Sequence, residues 1–274
     1  MAVYPTFPGR KRKVFTLSYD DGWAQDKILI DLMNKYGIKG TFNLCSGDIR
    51  FEQMENPKEL YKGHEVAVHG LTHVYMDRVL PQTATYEVIK DRENLEKVFG
   101  GAVRGFAYPY TAFNGETASL LKNCGIKYAR TARCDGNFRI PNDWYYWHPT
   151  CCDTDPEFLN MCDSFVESGN AQFNQSQIFY LYGHTHITDR NNLWGALETA
   201  FEKMSSQDNI WFATNIEICD YYSAFLSLIM SVDGKYIYNP TTTTLSLVHS
   251  NGDFVSGAVE FEIAPGQEIY LERV

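Results

Sequence analysis

The sequence predicts an α/β fold in which a parallel sheet, open or closed into a barrel, precedes a small antiparallel β appendage. Strand-like runs alternate with helical patterns over roughly 210 residues, which is typical of parallel sheets with helical crossovers. From about residue 231 the helical patterns stop, and short strands alternate with turn dipeptides. With 274 residues, 44% of them hydrophobic, the chain is long enough to bury a large core.

The strands are predicted from short runs rich in β-branched and aromatic residues, bounded by glycine or polar turn residues. The first begins at Val14 and stops at two adjacent acids, Asp20 and Asp21. Further strands are predicted over 39–45, 65–69, 102–108, 127–132, 177–183 and 210–213, with a weaker one around 144–147.

The helices are predicted from apolar residues that recur at intervals of three and four. The first, over 24–36, has Leu29 and Met33 at this spacing and ends at Gly37, a residue type that favours helix ends. One further short helix is predicted to close at 60–63, and others cover 81–99, 116–123, 157–167 and 193–204.

The C-terminal segment predicts antiparallel strands over 235–238, 244–248 and 258–263, separated by Asp-Gly, Asn-Pro, Asn-Gly and Pro-Gly turns. We therefore divide the chain into an α/β domain at 1–228 and a β subdomain at 229–274. Because so few strands are seldom stable alone, we expect the subdomain to pack against the larger domain.

Composition restricts the classes of partner and compartment. The net charge of -10 argues against nucleic acid or an anionic membrane as the main partner. No run is long enough to span a bilayer and the start has no apolar signal core, so we expect no membrane insertion. Seven cysteines without CxxC spacing favour free thiols, and a cytoplasmic location is expected. Oligomeric state is not indicated.

Residues whose side chains can bind a metal or transfer a proton follow four of the predicted strands. In a parallel α/β barrel the carboxyl ends of the strands share one face, where active sites are built. A solvated Asp-Gly turn would explain the first of these positions alone, but not all four together. The positions are Asp20 and Asp21 after the first strand, His69 and His73 after the third, Tyr110 after the fourth, and His184 after the strand at 177–183.

This set suits a hydrolase with one metal ion. Histidines four residues apart, His69 and His73, can share an ion if the chain curls after His69, and one aspartate completes a two-histidine, one-carboxylate set. The other aspartate can stay off the metal as a general base. His184 is the best candidate for the acid that protonates the leaving group.

The remaining histidines and the cysteines are weaker candidates for functional residues. His64 lies on an extended strand five residues before His69, roughly 16 Å away, so we treat it as non-functional. His148 and His249 have no supporting cluster, whereas His186 could line the cleft. The cysteines at 151, 152 and 162 are not spaced as in known metal sites, so we interpret them as free thiols in the core.

Four segments together resemble the motifs of the polysaccharide deacetylases, also called the NodB-homology domain or carbohydrate esterase family 4. Segments 18–22 (SYDDG) and 69–73 (HGLTH) resemble its first two motifs, and 106–110 (FAYPY) resembles its third. Segment 181–184 (LYGH) resembles its last motif, so the similarity covers roughly residues 12–220.

The resemblance implies a distorted, seven-stranded (β/α) barrel of TIM type and hydrolysis of N- or O-acetyl groups of a poly- or oligosaccharide. It also implies one divalent ion, zinc first, with cobalt, nickel or manganese as alternatives. The residue roles it implies are Asp20 as base, Asp21, His69 and His73 as metal ligands, Tyr110 as backbone N–H donor to the oxyanion, and His184 as acid.

Two positions depart from the family pattern, and a third segment is compared with it. Gly70 replaces a common serine or threonine. Ala107 stands where the family often has an arginine that braces the catalytic aspartate, and Arg104 is at an odd offset that would face the other side of a regular strand. Asp143 and Trp144 could correspond to a further family motif, but they cannot be aligned safely.

Three other functions compete with the deacetylase hypothesis. Gly183 to His186 resembles the Gly-His-x-His of calcineurin-like phosphoesterases, but the other motifs of that family do not occur. A non-catalytic carbohydrate-binding protein could keep the same pocket, and the absent arginine favours it. A metal-dependent amidase of a small amide could use the same residues.

Overall fold

The computed structural model describes residues 2–168, 176–250 and 258–273. The strands are β1 (Ala2–Pro5), β2 (Lys13–Asp20), β3 (Thr41–Leu44), β4 (Glu65–Val68), β5 (Gly105–Ala107), β6 (Tyr128–Arg130), β7 (Cys151–Cys152), β8 (Gln177–Gly183), β9 (Ile210–Phe212), β10 (Ile229–Met230), β11 (Tyr236–Tyr238), β12 (Leu245–Ser250), β13 (Ala258–Ile263) and β14 (Glu268–Tyr270). The α-helices are α1 (Asp26–Lys35), α2 (Ile49–Glu52), α3 (Pro57–Leu60), α4 (Pro81–Phe99), α5 (Gly115–Asn123), α6 (Phe158–Glu167), α7 (Thr185–Arg190), α8 (Trp194–Ser205) and α9 (Asn215–Leu226).

A parallel sheet in the order β6-β5-β4-β3-β2-β8-β7 forms the centre of the fold. Every residue of β2 is buried, as expected for a strand covered on both faces. Strand β8 lies along one edge of β2, and the opposite edge is shared by β9 beside 13–15 and by β3 beside 18–20. The predicted parallel α/β fold is therefore confirmed, with an eighth strand, β9, added to the seven in the path.

The sheet curls towards closure beyond β6. Arg130 forms a bridge with Trp147, and the Trp147 N–H donates to the Ala129 carbonyl at 3.1 Å. The chain then continues into β7, which pairs with β8. The result matches the distorted barrel that the family resemblance implied.

The strand predicted around 144–147 is wrong. Residues Trp144–Tyr146 form a 3-10 turn, because the Asp143 carboxylate accepts a hydrogen bond from the Tyr145 N–H and starts a turn instead. The strand of this part of the sheet is β7, which begins four residues after the end of the predicted one.

The long helix α4 has the predicted bounds, and α1, α5, α6 and α8 differ from the predicted bounds by one or two residues. Three helices were not predicted, α2, α7 and α9. The start of α9 carries a capping box, in which the Thr214 and Glu217 side chains each accept from the other residue's backbone N–H. This Thr-x-x-Glu pattern was a readable signal for a helix start.

Two small antiparallel sheets form the appendage, in the orders β1-β12-β13 and β10-β11-β14. Residues 2–5 pair with 247–250, so the first strand of the chain joins the C-terminal sheet. A second hydrophobic cluster, which includes Phe7, Leu247 and Ile263, connects these sheets to α9 and β8. The division at 228 and 229 stays a prediction.

Within the described ranges, no helix combines the length and the apolar character needed to cross a membrane.

Candidate active site and metal centre

The site begins where β2 ends. Asp20 is the last residue of the strand, and Asp21 starts a turn in which Asp21 and Gly22 have φ angles of 77° and 67°. A Cβ on Gly22 would lie 3.0 Å from Leu44 Cδ2. The left-handed backbone and the close packing both require glycine after the two acids. The turn points the adjacent carboxylates into different surroundings.

Asp20 is buried and paired with a cation. Its side chain accepts hydrogen bonds from Arg130 Nη2 at 2.5 and 2.6 Å and from Asn43 Nδ2 at 2.7 Å. Burial raises the pKa of Asp20, but Arg130, His69 and His184 outweigh it and lower the pKa to about 2. Asp20 is therefore a carboxylate at neutral pH.

Arg130 is a site residue that the sequence did not identify. It lies at the end of β6, directly beside Ala107 in the parallel pairing of β5 and β6. The guanidinium that the family pattern places at 107 is thus supplied from the next strand at the same level. Arg104, the other arginine near position 107 in the sequence, does not reach Asp20 and instead pairs with Asp220 at 2.8 Å on the outside of the barrel. Charged and polar residues are rarely buried in a strand without a partner. Arg130 in its predicted strand and Asn43 in β3 were therefore signals that could have identified these two partners of Asp20.

His69 follows β4 and is held by both its backbone and its ring. Its N–H donates to Asp91 Oδ2 at 3.1 Å, and its Nδ1 lies 2.8 Å from the Ala107 carbonyl oxygen. Because a carbonyl only accepts, Nδ1 carries the proton and Nε2 has a free lone pair. Burial lowers the pKa of His69 to about 4, so the ring is neutral.

The turn from His69 to His73 is anchored on α4. Glu87 accepts from the Thr72 N–H and from Thr72 Oγ1, both at 2.7 Å, and its carbonyl accepts from the Leu71 N–H at 3.1 Å. Gly70 and His73 have φ angles of 80° and 58°. The curled chain brings the second histidine back towards the first, which the four-residue spacing required.

Asp21, His69 and His73 form a cluster that could hold a metal ion, with their ligand atoms all within 4.8 Å of one another. Asp21 Oδ1 lies 3.8 Å from His69 Nε2 and 3.6 Å from His73 Nε2. Two ligands on one zinc ion lie about 3.4 Å apart. Asp21 Oδ1 is buried and has no hydrogen-bond partner among residues 2–168, 176–250 and 258–273. An unsatisfied carboxylate oxygen facing two imidazole nitrogens fits a divalent cation.

His184 comes from the other side of β2. It follows β8, and its Nε2 lies 3.7 Å from Asp20 Oδ2. Asp20 thus lies between His69 and His184, since His69 Nε2 is 3.8 Å from the same carboxylate oxygen. About a quarter of the His184 side chain is exposed, which leaves its ring accessible from the cavity.

Tyr110 lies beside the cluster in a strained backbone, with φ of 56° directly after Pro109. Its ring packs against His73 with centroids 4.4 Å apart and stacks on Tyr75 at 4.0 Å. Non-glycine residues held in the left-handed region concentrate at functional sites.

A second aromatic stack lines the opposite side. Trp23 lies between Arg50, 4.3 Å from its ring centroid, and His186, whose ring centroid is 4.0 Å away. The Trp23 indole N–H donates to Asp21 Oδ2 at 3.3 Å. The two stacks border an open cavity of about 620 Å³ whose lining includes all six residues predicted for the site.

Other sequence candidates lie elsewhere. His64 is at the amino end of the barrel, where its Nδ1 accepts from the Gly40 N–H at 3.3 Å. Asp143 starts the 3-10 turn described above, and His249 lies in β12 of the appendage. His148 is hydrogen-bonded to Thr131 Oγ1.

Residues 8–129 match the family model described as polysaccharide deacetylase, which confirms the resemblance seen in the motifs. The peptidoglycan-N-acetylmuramic acid deacetylase PdaC of Bacillus subtilis is 26% identical over 113 residues, 40% of this chain and 24% of that protein. Chitin deacetylase 1 of Cryptococcus neoformans is 22% identical over 139 residues, 50% of this chain and 30% of that protein. The matches therefore span less than a third of these relatives.

Solved structures of low sequence identity share the fold. The Xyl-CE4 domain of a multidomain xylanase from the hindgut metagenome of Trinervitermes trinervoides aligns with a TM-score of 0.55 and 19% identity. The alignment covers 78% of this chain and 92% of that domain. The likeness extends well beyond the residues matched by the family model.

Proposed function

We propose that this chain, in which residues 8–129 match the polysaccharide deacetylases, is a metal-dependent hydrolase that removes N- or O-acetyl groups from a poly- or oligosaccharide. The observation that carries the proposal is the unpartnered Asp21 Oδ1 facing His69 and His73, with the ionised Asp20 beside them. Two curated relatives are named for the deacetylation of peptidoglycan sugars and chitin, which favours an acetylated sugar as substrate.

Asp21, His69 and His73 would hold the ion. Two imidazole nitrogens and one carboxylate oxygen suit zinc and leave room for further ligands, and cobalt, nickel and manganese accept the same donors. Bound there, the ion would supply Lewis acidity for the hydrolysis of an acyl group. The proton on His69 Nδ1, held by the Ala107 carbonyl, keeps Nε2 free as a ligand.

Asp20 would act as the general base. Arg130 and Asn43 hold its two oxygens in a fixed orientation while the Arg130 charge keeps it ionised. On the other side of the carboxylate, His184 would donate the proton that the leaving amine or alkoxide needs. The Tyr110 N–H would stabilise the oxyanion, since its left-handed backbone and its packing on His73 keep this residue next to the metal ligands.

The test combines metal content with acetate release. Zinc- or cobalt-loaded protein is assayed on chitooligosaccharides, peptidoglycan fragments and acetyl-xylan. We expect acetate from at least one of these substrates, and we expect His73→Ala to lose both the bound metal, measured by elemental analysis, and the activity. His64→Gln, at the amino end of the barrel, is the control and should keep both.

Three results would contradict the proposal. Full metal occupancy in His73→Ala would remove this histidine as a ligand. Sugar binding without acetate release by the zinc-loaded protein would favour the non-catalytic reading, and phosphate release from a generic phosphoester would favour a phosphoesterase.

A further inference from the structure

The helix that follows His184 is held by two buried carboxylates outside the candidate metal centre. His184 is the N-cap residue of α7 and has an extended backbone, with φ of -133° and ψ of 118°. The helix has six residues, too few to be stable by itself. What orients His184 is therefore the attachment of α7 to the rest of the molecule.

Thr185, the residue after His184, is fully buried and attached to Asp26. Its Oγ1 donates to Asp26 Oδ1 at 2.6 Å, and Tyr61 OH donates to Asp26 Oδ2 at 2.8 Å. Asp26 is the first residue of α1 and is 1% exposed. This contact ties the first turn of α7 to the helix that follows β2.

Thr188, one turn later, is attached to Asp153 in the same way. Its Oγ1 donates to Asp153 Oδ2 at 2.5 Å, and Tyr19 OH donates to the same oxygen at 3.0 Å. Asp153 directly follows β7 and is 4% exposed. A Cβ on Gly183 would lie 2.6 Å from Asp153 Oδ2, so only glycine lets β8 end this close to the carboxylate.

Both carboxyl groups are buried, which is unfavourable for their charged forms. Burial raises the pKa of Asp26 to about 7 and that of Asp153 to about 6, and the hydroxyl donors offset this only in part. Apolar residues of similar size are often at least as stabilising as buried charged groups. Both acids contact α7 through a hydroxyl three residues from the other, on the same face of the helix.

The geometry points to Asp26 and Asp153 as positioning residues for His184: through Thr185 and Thr188 they fix α7 so that the His184 ring faces Asp20. The assignment of a proton-donating role to His184 rests on the proposed function, whereas the fixing of the ring does not. Asp26 and Asp153 touch neither the candidate metal ligands nor Asp20 by any hydrogen bond between described residues.

The first test compares Thr188→Val and Thr185→Val with the matched Thr188→Ser and Thr185→Ser. Valine keeps the volume and removes the hydroxyl, and serine keeps the hydroxyl. Histidine Cε1–Hε1 resonances of the metal-free protein are recorded by NMR, with His184 assigned from His184→Gln. We expect the valine variants to shift or broaden the His184 signal, while the serine variants keep it. An unchanged His184 signal in both valine variants would overturn the inference.

The second test uses the leaving group. An amide needs a proton on its leaving amine, whereas 4-nitrophenyl acetate releases a phenolate that needs none. We expect Thr188→Val to lower kcat on a chitooligosaccharide roughly tenfold to a hundredfold, with KM, metal content and 4-nitrophenyl acetate hydrolysis within about twofold of the parent. Equal losses on both substrates would mark a general structural defect and contradict positioning.

The two proposals fail in different ways. If His184→Gln itself hydrolyses the amide at the parent rate, the acid role is wrong, while the NMR result still decides whether the threonines fix the ring. If His184→Gln is impaired on the amide and Thr188→Val is not, only the positioning inference is wrong.

Discussion

Asp20 and Glu65 occupy opposite ends of the barrel and show how the partner of a buried carboxylate decides its charge. At the carboxyl end, the Arg130 guanidinium overcomes burial and lowers the pKa of Asp20 to about 2. At the amino end, burial raises the pKa of Glu65 to about 7, although it accepts hydrogen bonds from the Ile216 N–H, Tyr128 OH and Thr41 Oγ1. At Glu65 these donors do not overcome burial, whereas at Asp20 the buried Arg130 guanidinium, bonded to both carboxylate oxygens, does.

The two residues also give opposite pH dependences of stability. The lowered pKa of Asp20 contributes stability that is present above about pH 4 and is lost as the pH falls towards 2. The raised pKa of Glu65 contributes stability that is present below about pH 4.5 and is lost as the pH rises through 7. At neutral pH Asp20 is ionised, as its proposed role as a base requires, whereas the Glu65 carboxyl titrates in this range.

The largest expected effect is that of Asp20→Asn. Asparagine keeps the size and shape but cannot accept a proton, so we expect turnover to fall by about 10²–10⁴, or roughly 3–5 kcal/mol in the barrier, with metal still bound. Steady-state acetate release and metal content check this. Turnover at the parent rate would show that Asp20 is not the base. The difference in pKa between Asp20 and Glu65 would then have no bearing on catalysis.

The next effect is that of Arg130→Met, which makes the surroundings of Asp20 resemble those of Glu65. We expect a loss of about 3–5 kcal/mol in the free energy of unfolding, because the buried carboxylate loses its cation. Activity should also fall by roughly 10–10³, measured at a temperature where the variant is folded. Arg130→Lys keeps the charge and should recover part of both.

Arg104→Met is the matched control for this change. Its pair with Asp220 is also within hydrogen-bond distance, at 2.8 Å, but the two side chains are 34% and 46% exposed. Exposed pairs contribute about 0.2–1 kcal/mol, so we expect little change in unfolding and none in activity. A similar loss of unfolding free energy in both arginine variants would mean that burial does not determine how much the Arg130–Asp20 pair stabilises the fold.

The smallest effect is that of Glu65→Gln, which removes the titration and keeps one of the two acceptor oxygens that Glu65 uses. Between pH 5 and pH 8 the parent must ionise a buried glutamate, so the variant should gain about 1–3 kcal/mol relative to the parent as the pH rises. Urea unfolding at the two pH values measures this difference. A constant difference across the range would show that Glu65 titrates as it does in the unfolded chain.

Much of the site was predictable from the sequence because its residues follow strands. A parallel strand has a defined carboxyl end, so Asp20, His69 and His184 could be assigned to one face before any coordinates were known. In the structure Asp20 Oδ2 lies 3.8 Å from His69 Nε2 and 3.7 Å from His184 Nε2. The weak strand around 144–147 was wrong because the Asp143 cap favours a turn, a local hydrogen bond that aromatic content does not reveal.

The sequence by itself predicted the bounds of α4 and the six residues that line the candidate site, since these follow from local periodicity and spacing. Only the tertiary structure decided that Arg130 replaces the arginine absent at 107, because the lateral register of β5 and β6 puts it beside Ala107. The same holds for the contacts of Asp26 and Asp153 with α7, which join residues 159 and 35 positions apart, respectively. Contacts between distant strands depend on sheet order and register, and neither is encoded in a short stretch of sequence.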